Sequence, residues 1–115
     1  MKSNIVADKS KHFALRIIKL YKFLKDNKNE FVISKQILRS GTSIGANITE
    51  ALRGESKPDF YHKMNIALKE AAETEYWLEL LYYGEFIDKA SFDSIENECS
   101  EIISLLVAIT KTQNN

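Results

Sequence analysis

The sequence predicts an all-α protein, an antiparallel up-down-up-down four-helix bundle. Four segments of roughly twenty residues each carry apolar residues at alternating steps of three and four, the spacing of one helix face. The connections between them are short, so consecutive helices should lie antiparallel to each other. One proline and four glycines leave little room for a fold built from strands and turns.

The first two helices are expected at about residues 8–27 and 34–53. The apolar stripe of the first consists of Phe13, Ile17, Leu20 and Leu24. The stripe of the second consists of Ile33, Ile37, Gly41, Ile44, Ile48 and Leu52. Ser34 is the predicted N-cap of the second helix, and Gly54 is its predicted stop.

The last two helices are expected at about residues 57–83 and 89–110. "SKPD" opens the third, with Ser56 as the cap and Pro58 in the first turn. Gly84 ends it, and the fourth begins near Asp88 or Ser91. The apolar stripes of the third and fourth helices start at Phe60 and Phe92 and follow alternating steps of three and four residues.

Length and composition point to one cytoplasmic domain. The 115 residues suffice for a single compact domain, and 44% apolar with 28% charged residues is ordinary for a globular protein. Cys99 is alone, so no intramolecular disulfide can form. The N-terminus has no apolar core typical of a signal peptide, and no apolar run approaches the ~20 residues that span a bilayer. We therefore expect no membrane association.

The zero net charge hides an asymmetry along the chain. Residues 1–28 hold eight Lys/Arg and two Asp/Glu, net +6, whereas residues 54–115 hold five and twelve, net −7. A basic half can be a nucleic-acid face, one side of a self-complementary contact between subunits, or a partner for acidic helices inside the same bundle.

Residues 39–56, "RSGTSIGANITEALRGES", contain several poor helix formers, so they could be a phosphate-binding loop or a helix with a small face. No Lys follows Gly45 and no strand precedes the segment, so it lacks the features of a phosphate loop. Gly41 and Gly45 are one helical turn apart, which would let a neighbouring helix approach closely. A polar stripe runs beside the apolar one, and Glu70, Glu73 and Trp77 could meet it from the third helix.

The segments "SKQILRSGTSIGANITEA" and "FYHKMNIALKEAAETEYWLELL" resemble the signature of the four-helix-bundle proteins encoded within intervening sequences of bacterial 23S ribosomal RNA genes. They are also similar to the accessory proteins of diversity-generating retroelements. The resemblance is strong over residues 34–82. It implies a ring-like homopentamer and nucleic-acid binding, and carries no catalytic residues. The signature positions are Arg39, Ser40, Ser43, Ile44, Asn47, Ile48 and Glu50.

One sector of the first helix is basic and is the candidate nucleic-acid face. Its candidate binding residues are Lys9, Lys11, Arg16, Lys19 and Lys22. His12 falls in the same sector, as do Leu15 and Phe23, which could contact bases or lie in an interface between subunits. A merely solvated basic face is the alternative.

Two Glu-x-x-Glu pairs suggest a second hypothesis, a metal-dependent nucleotide hydrolase. The acidic residues are Glu70, Glu73, Glu75, Glu98 and Glu101. Carboxylates on neighbouring helices could hold Mg²⁺ against phosphates. The spacing of His12, His62 and Cys99 does not indicate a zinc site, and Cys99 lies on a core stripe.

We therefore expect a non-enzymatic bundle with no cofactor, metal or small-molecule substrate. It should form a homo-oligomer, a pentamer if the resemblance holds, and bind nucleic acid (RNA or DNA) or a nucleoprotein partner. A purely protein-binding oligomer is the third hypothesis. Arg39, beside a Glu-rich helix, could fix helix register or bind a ligand.

Overall fold

The computed structural model describes residues 2–112. Its four helices are α1 (Lys2–Lys28), α2 (Ile33–Leu52), α3 (Lys57–Tyr83) and α4 (Lys89–Lys111). They form a bundle 45 Å long and 21 × 18 Å across. The main contacts join α1 to α2, α2 to α3, α3 to α4 and α4 to α1, so the α2–α3 and α1–α4 contacts lie on opposite sides. The predicted all-α four-helix bundle is confirmed.

One apolar core runs along the bundle and draws on all four predicted stripes. Its largest fully buried side chains include Phe13, Ile17, Leu24, Ile37, Ile44, Ile48, Met64, Leu78, Leu81, Ile102 and Leu106. Burial of these side chains, each contributing roughly 1.5–3 kcal/mol, is the main source of stability. None of the helices in the described part of the chain is long and apolar enough to cross a membrane.

Helix α1 begins at Lys2, several residues before the predicted start near residue 8. Val6 is fully buried and continues the stripe of Phe13 one heptad towards the N-terminus. Ser10 lies between them, also buried, with its hydroxyl donating to the carbonyl of Ala7 at 2.9 Å. The polar Ser10 interrupts the apolar pattern, although it faces the core.

The predicted N-cap of α2 is wrong. Ser34 is buried inside the first turn, and the capping carboxylate belongs to Glu30. Glu30 Oε1 accepts from the Ser34 amide at 2.7 Å, and Oε2 accepts from the Ile33 amide at 3.1 Å. One carboxylate thus satisfies two amides that the helix itself leaves unpaired. Ser34 instead donates its hydroxyl to the Glu30 carbonyl at 2.8 Å.

The caps of the other two helices agree with the sequence. Ser56 Oγ accepts from the Asp59 amide at 3.2 Å, and the Asp88 carboxylate accepts from the Ser91 amide at 2.7 Å. Helix α3 ends at Gly84, as predicted, but the left-handed residue is Glu85, with φ 66°. The Phe86 amide then donates to the Leu81 carbonyl at 2.8 Å. This closing pattern usually contains glycine at the left-handed position.

Helix α2 is continuous through Gly41 and Gly45, and its small face packs on α1, as predicted. A Cβ atom at Gly41 would lie 2.9 Å from both Cγ atoms of Ile17. A Cβ at Gly45 would lie 3.3 Å from Ser10 Oγ. The two glycines therefore differ: Gly41 is in tight contact with a branched side chain, and Gly45 faces a small hydroxyl that can rotate.

We expect Gly41→Ala to lower the free energy of unfolding by about 1–2 kcal/mol. Ile17 is β-branched and has few rotamers, so it cannot easily leave the space that the new methyl group needs. Gly45→Ala is the matched control, because it gains the same helix propensity of about 1 kcal/mol without a severe clash. It should be neutral or slightly stabilising. Urea denaturation measures both, and equal stabilities would contradict the close-contact explanation.

Candidate nucleic-acid interface

Several lysines of α1 have no acidic partner among the described residues, and three of the exposed ones lie on its outer face. Lys11, Lys19 and Lys22 are exposed, and none lies within 4 Å of a carboxylate in the described residues 2–112. They lie on one side of α1 because the intervals of three, eight and eleven residues between them are close to one, two and three helical turns. We refer to these three residues as the lysine face. They are three of the five basic residues that the sequence predicts for nucleic-acid contact.

The other two predicted residues are paired with α4. Lys9 forms an ion pair with Glu101, and Arg16 forms one with Glu98. His12 Nε2 lies 3.4 Å from the same Glu98 carboxylate. Some basic residues of α1 thus neutralise glutamates of α4, whereas the lysine face remains open to solvent.

Leu15 and Phe23, the predicted interface residues, lie on the solvent side of α1. Leu15 is 56% exposed beside the lysine face. Phe23 is 40% exposed and lies in the wall of a cleft near the C-terminal end of α1. Both side chains are only partly covered within the chain, so each leaves apolar surface exposed to solvent.

A cleft of about 910 Å³ opens between α1 and the connection from α3 to α4. We refer to it as the end cleft. Its lining combines cations, aromatic rings and two carboxylates: His12, Arg16, Lys19, Leu20, Phe23, Lys28, Tyr82, Glu85, Phe86, Ile87, Asp88, Ser91 and Ile95. Of these residues, the sequence predicted Arg16, Lys19 and Phe23 as site residues and placed His12 in the same sector. The lining residues outside α1 come from the end of α3, the α3–α4 connection and the start of α4, and "GEFID" carries no spacing that indicates a site.

Two acidic residues, Glu85 and Asp88, lie on the connection side of the end cleft. Glu85 lies at its edge in the left-handed backbone conformation described above. The hydrogen bond from the Ser91 amide lowers the pKa of the Asp88 carboxyl below its usual 3.8. Asp88 is therefore ionised at neutral pH, and this side of the cleft carries negative charge opposite the cations of α1.

The signature residue Arg39 connects α2 to α3. Its Nη1 donates to Glu70 Oε2 at 3.1 Å, and its Nη2 donates to Glu73. Trp77 Nε1 donates to the same Glu73 carboxylate at 2.8 Å. Next to this surface network, the buried Thr74 hydroxyl donates to Ser40 Oγ at 2.8 Å. These contacts join the polar stripes of the two helices.

The remaining signature residues support α2 in other ways. Ile44 and Ile48 are fully buried in the core. Asn47 donates to the Ser43 carbonyl at 2.9 Å within the helix, and Glu50 lies 3.6 Å from Lys63 of α3.

The two Glu-x-x-Glu pairs do not converge. Glu70 and Glu73 bind Arg39 at the α2–α3 contact, whereas Glu98 and Glu101 bind α1 on the opposite side of the bundle. Among the described residues, no group of three or more His, Cys, Asp or Glu side chains could hold a metal ion. The geometry thus gives the hydrolase hypothesis no support.

A different acidic pair lies between α3 and α4. Burial raises the pKa of Glu96 from 4.5 to about 8, and the neighbouring carboxyls of Glu75 and Glu79 add to the effect. Glu96 hydrogen-bonds with Glu75, while its buried Oε2 has no hydrogen-bond partner in the part of the chain that the structure describes. Two adjacent carboxyls cannot both ionise cheaply, so they share a proton at neutral pH.

We expect the stability of the protein to fall as the pH rises from about 4.5 to about 8. In this range the folded chain keeps a proton on Glu96 that the unfolded chain has released, so raising the pH favours unfolding. Glu96→Gln should weaken this dependence and stabilise the fold at pH 9. Water screens the part-exposed group, so the gain should be only on the order of 1 kcal/mol.

Thermal unfolding between pH 5 and pH 9 measures the effect. Glu55→Gln, an exposed residue in the α2–α3 connection, makes the same charge change and is the control. A parallel pH profile for Glu96→Gln and the natural chain would contradict the shared proton.

Comparisons with known proteins identify the family. The profile of the 23S rRNA-intervening sequence protein matches residues 2–108. The chain is 60% identical to a protein of unknown function from the S23 ribosomal protein family of Bacteroides thetaiotaomicron, whose crystal structure is known at 1.70 Å resolution. That similarity covers 96% of this chain and 99% of the other, with a TM-score of 0.95. Comparison with curated proteins found no match. The resemblance inferred from residues 34–82 is confirmed, and the chain belongs to the 23S rRNA-intervening sequence protein family.

Proposed function

We propose that this protein binds nucleic acid, RNA or DNA, through the lysine face of α1. The supporting observation is that Lys11, Lys19 and Lys22 are exposed and unpaired, while the nearby Lys9 and Arg16 are held by α4. Unpaired lysines attract phosphates and release the counterions condensed on the nucleic acid.

The dimensions of the lysine face fit a polyanion. Lys11 and Lys22 are separated by three helical turns, about 16 Å at 1.5 Å per residue. This length covers several phosphates of a nucleic-acid strand. The family match is in keeping with a role of this kind, and the free, buried Cys99 is in keeping with a cytoplasmic location.

Replacing Lys11, Lys19 and Lys22 together with Gln should weaken binding to single-stranded RNA and DNA. Three lost phosphate contacts should reduce the slope of log affinity against log salt by about 2 for a single strand. Fluorescence anisotropy with a labelled oligonucleotide across a salt series measures both quantities.

The matched control replaces Lys35, Lys57 and Lys69 with Gln. These lysines are exposed on α2 and α3, and the charge change is identical. An equal loss of affinity in the two variants would mean that only net charge matters. Undiminished affinity in the α1 variant would contradict the lysine face as the binding surface.

Self-association is the second candidate function, favoured by the exposure of Leu15 and Phe23. The acidic group of Glu75, Glu79 and Glu96 has no basic partner within 4 Å in the described residues, so the lysine face of a second copy could meet it. Such a contact joins two different surfaces and forms a ring where the rotation between copies closes, as in the pentamer that the resemblance implies.

Sedimentation equilibrium tests self-association. We expect a multiple of the 13.2 kDa chain mass at micromolar concentration, and dissociation on Leu15→Asp, because the charge would be buried without a partner. Phe31→Asp, at an exposed apolar residue outside α1, is the control. A single species at the monomer mass would sink the self-association proposal and leave the nucleic-acid proposal standing.

A further inference from the structure

We propose that the end cleft holds one unstacked nucleobase of a bound strand, with the base against Phe23 and the adjoining phosphate near Lys19 and Lys28. The inference rests on the nucleic-acid function proposed above and names a second part of the same interface. The cleft volume of about 910 Å³ is enough for a nucleotide with water and lies in the usual range of small-ligand sites. Lys19 belongs both to the lysine face and to the cleft lining, so one strand can reach both.

The aromatic side chains of the cleft are suited to stacking. Phe23 is 40% exposed, and the Lys28 ammonium lies 5.9 Å from the centre of its ring. Tyr82 stacks on Phe92 with ring centres 4.7 Å apart and planes at 16°, so its ring is held in place. Fixed and partly exposed rings stack on bases with little loss of side-chain freedom, and every base offers a suitable face.

The charges of the cleft favour one orientation of the bound nucleotide. Lys19 and Lys28 lie on the α1 side, where they favour phosphate. Glu85 and Asp88 lie on the connection side, where carboxylates repel phosphate and accept hydrogen bonds from amino groups. A base with an exocyclic amino group therefore suits this side better than uracil or thymine, whose ring carbonyls would face the carboxylates.

The same charges argue against an apolar side chain of a second copy as the occupant. Such a side chain would remove Lys19 from water without giving its charge a partner, and would add no hydrogen-bond donor for Asp88, which is unfavourable. A nucleotide supplies an anion for the first and hydrogen-bond donors for the second. The charge complementarity of the cleft thus favours a nucleotide.

The test compares single strands that differ only in their bases. Fluorescence anisotropy is measured with a labelled ten-residue oligocytidine and with an abasic strand of the same length and charge. We expect the natural chain to bind oligocytidine about 5- to 100-fold more tightly than the abasic strand, the effect of a base stacked on an aromatic ring. Phe23→Leu should remove most of this preference and leave abasic-strand affinity unchanged. Oligouridine should bind about 3- to 10-fold more weakly than oligocytidine.

Phe31→Leu is the matched control, because Phe31 is an exposed aromatic residue outside the cleft lining. It should keep the full preference for bases. Equal, salt-dependent affinity for oligocytidine and the abasic strand would overturn the cleft proposal while the lysine face remains supported. Binding to neither strand would overturn both. If Phe23→Leu changes the sedimentation mass without changing base preference, the cleft belongs to a contact between copies and the proposal is wrong.

Discussion

The packing of α2 against α1 depends on the missing side chain of Gly41. Ile17 occupies the space where a Cβ would lie, so the two helices approach more closely than side chains would allow. Gly45, one turn later on α2, continues this small surface against Ser10 of α1. Because α2 has no large side chains on this side, its contact with α1 sets its position. The polar stripe of α2 then faces α3 in a single rotation of α2 about its own axis.

The polar contacts between α2 and α3 follow from that rotation. Ser40 meets Thr74 within the core, and Arg39 meets two glutamates at its edge. Arg39 is about half exposed, so its ion pairs contribute little net stability. These ion pairs nevertheless restrict the relative position of α2 and α3, since the guanidinium must reach Glu70 and Glu73 together. The pair of helices therefore gains its register from polar groups and its stability from the apolar core.

The helices were predictable because burial repeats with the helical period. Phe13, Ile17 and Leu24 face inward, and they do so at the spacing visible in the sequence. The N-cap of α2 was not predictable in this way, because Glu30 reaches it only through the fold of the preceding loop. Ser34 has the residue type of a cap, yet it lies inside the helix.

The candidate site was predictable only in part, for a related reason. Helical spacing places Lys9, Arg16 and Lys19 in one sector of α1, but it does not say which of them α4 approaches. That depends on the rotation of α4 about its own axis, which brings Glu98 and Glu101 to the first two and leaves Lys19 free. The end cleft was beyond prediction, since it needs α1 and the α3–α4 connection together.

Cys99, the only cysteine of the chain, is a natural probe of local opening in the bundle. Its thiol is fully buried, lies 3.5 Å from the Ala71 carbonyl, and has a pKa raised by burial and by the nearby Glu96 and Glu75. The Cys99 thiolate is the nucleophile that attacks a thiol reagent, and it can do so only when α3 and α4 separate. The rate of labelling thus reports how often this side of the bundle opens, without any introduced probe.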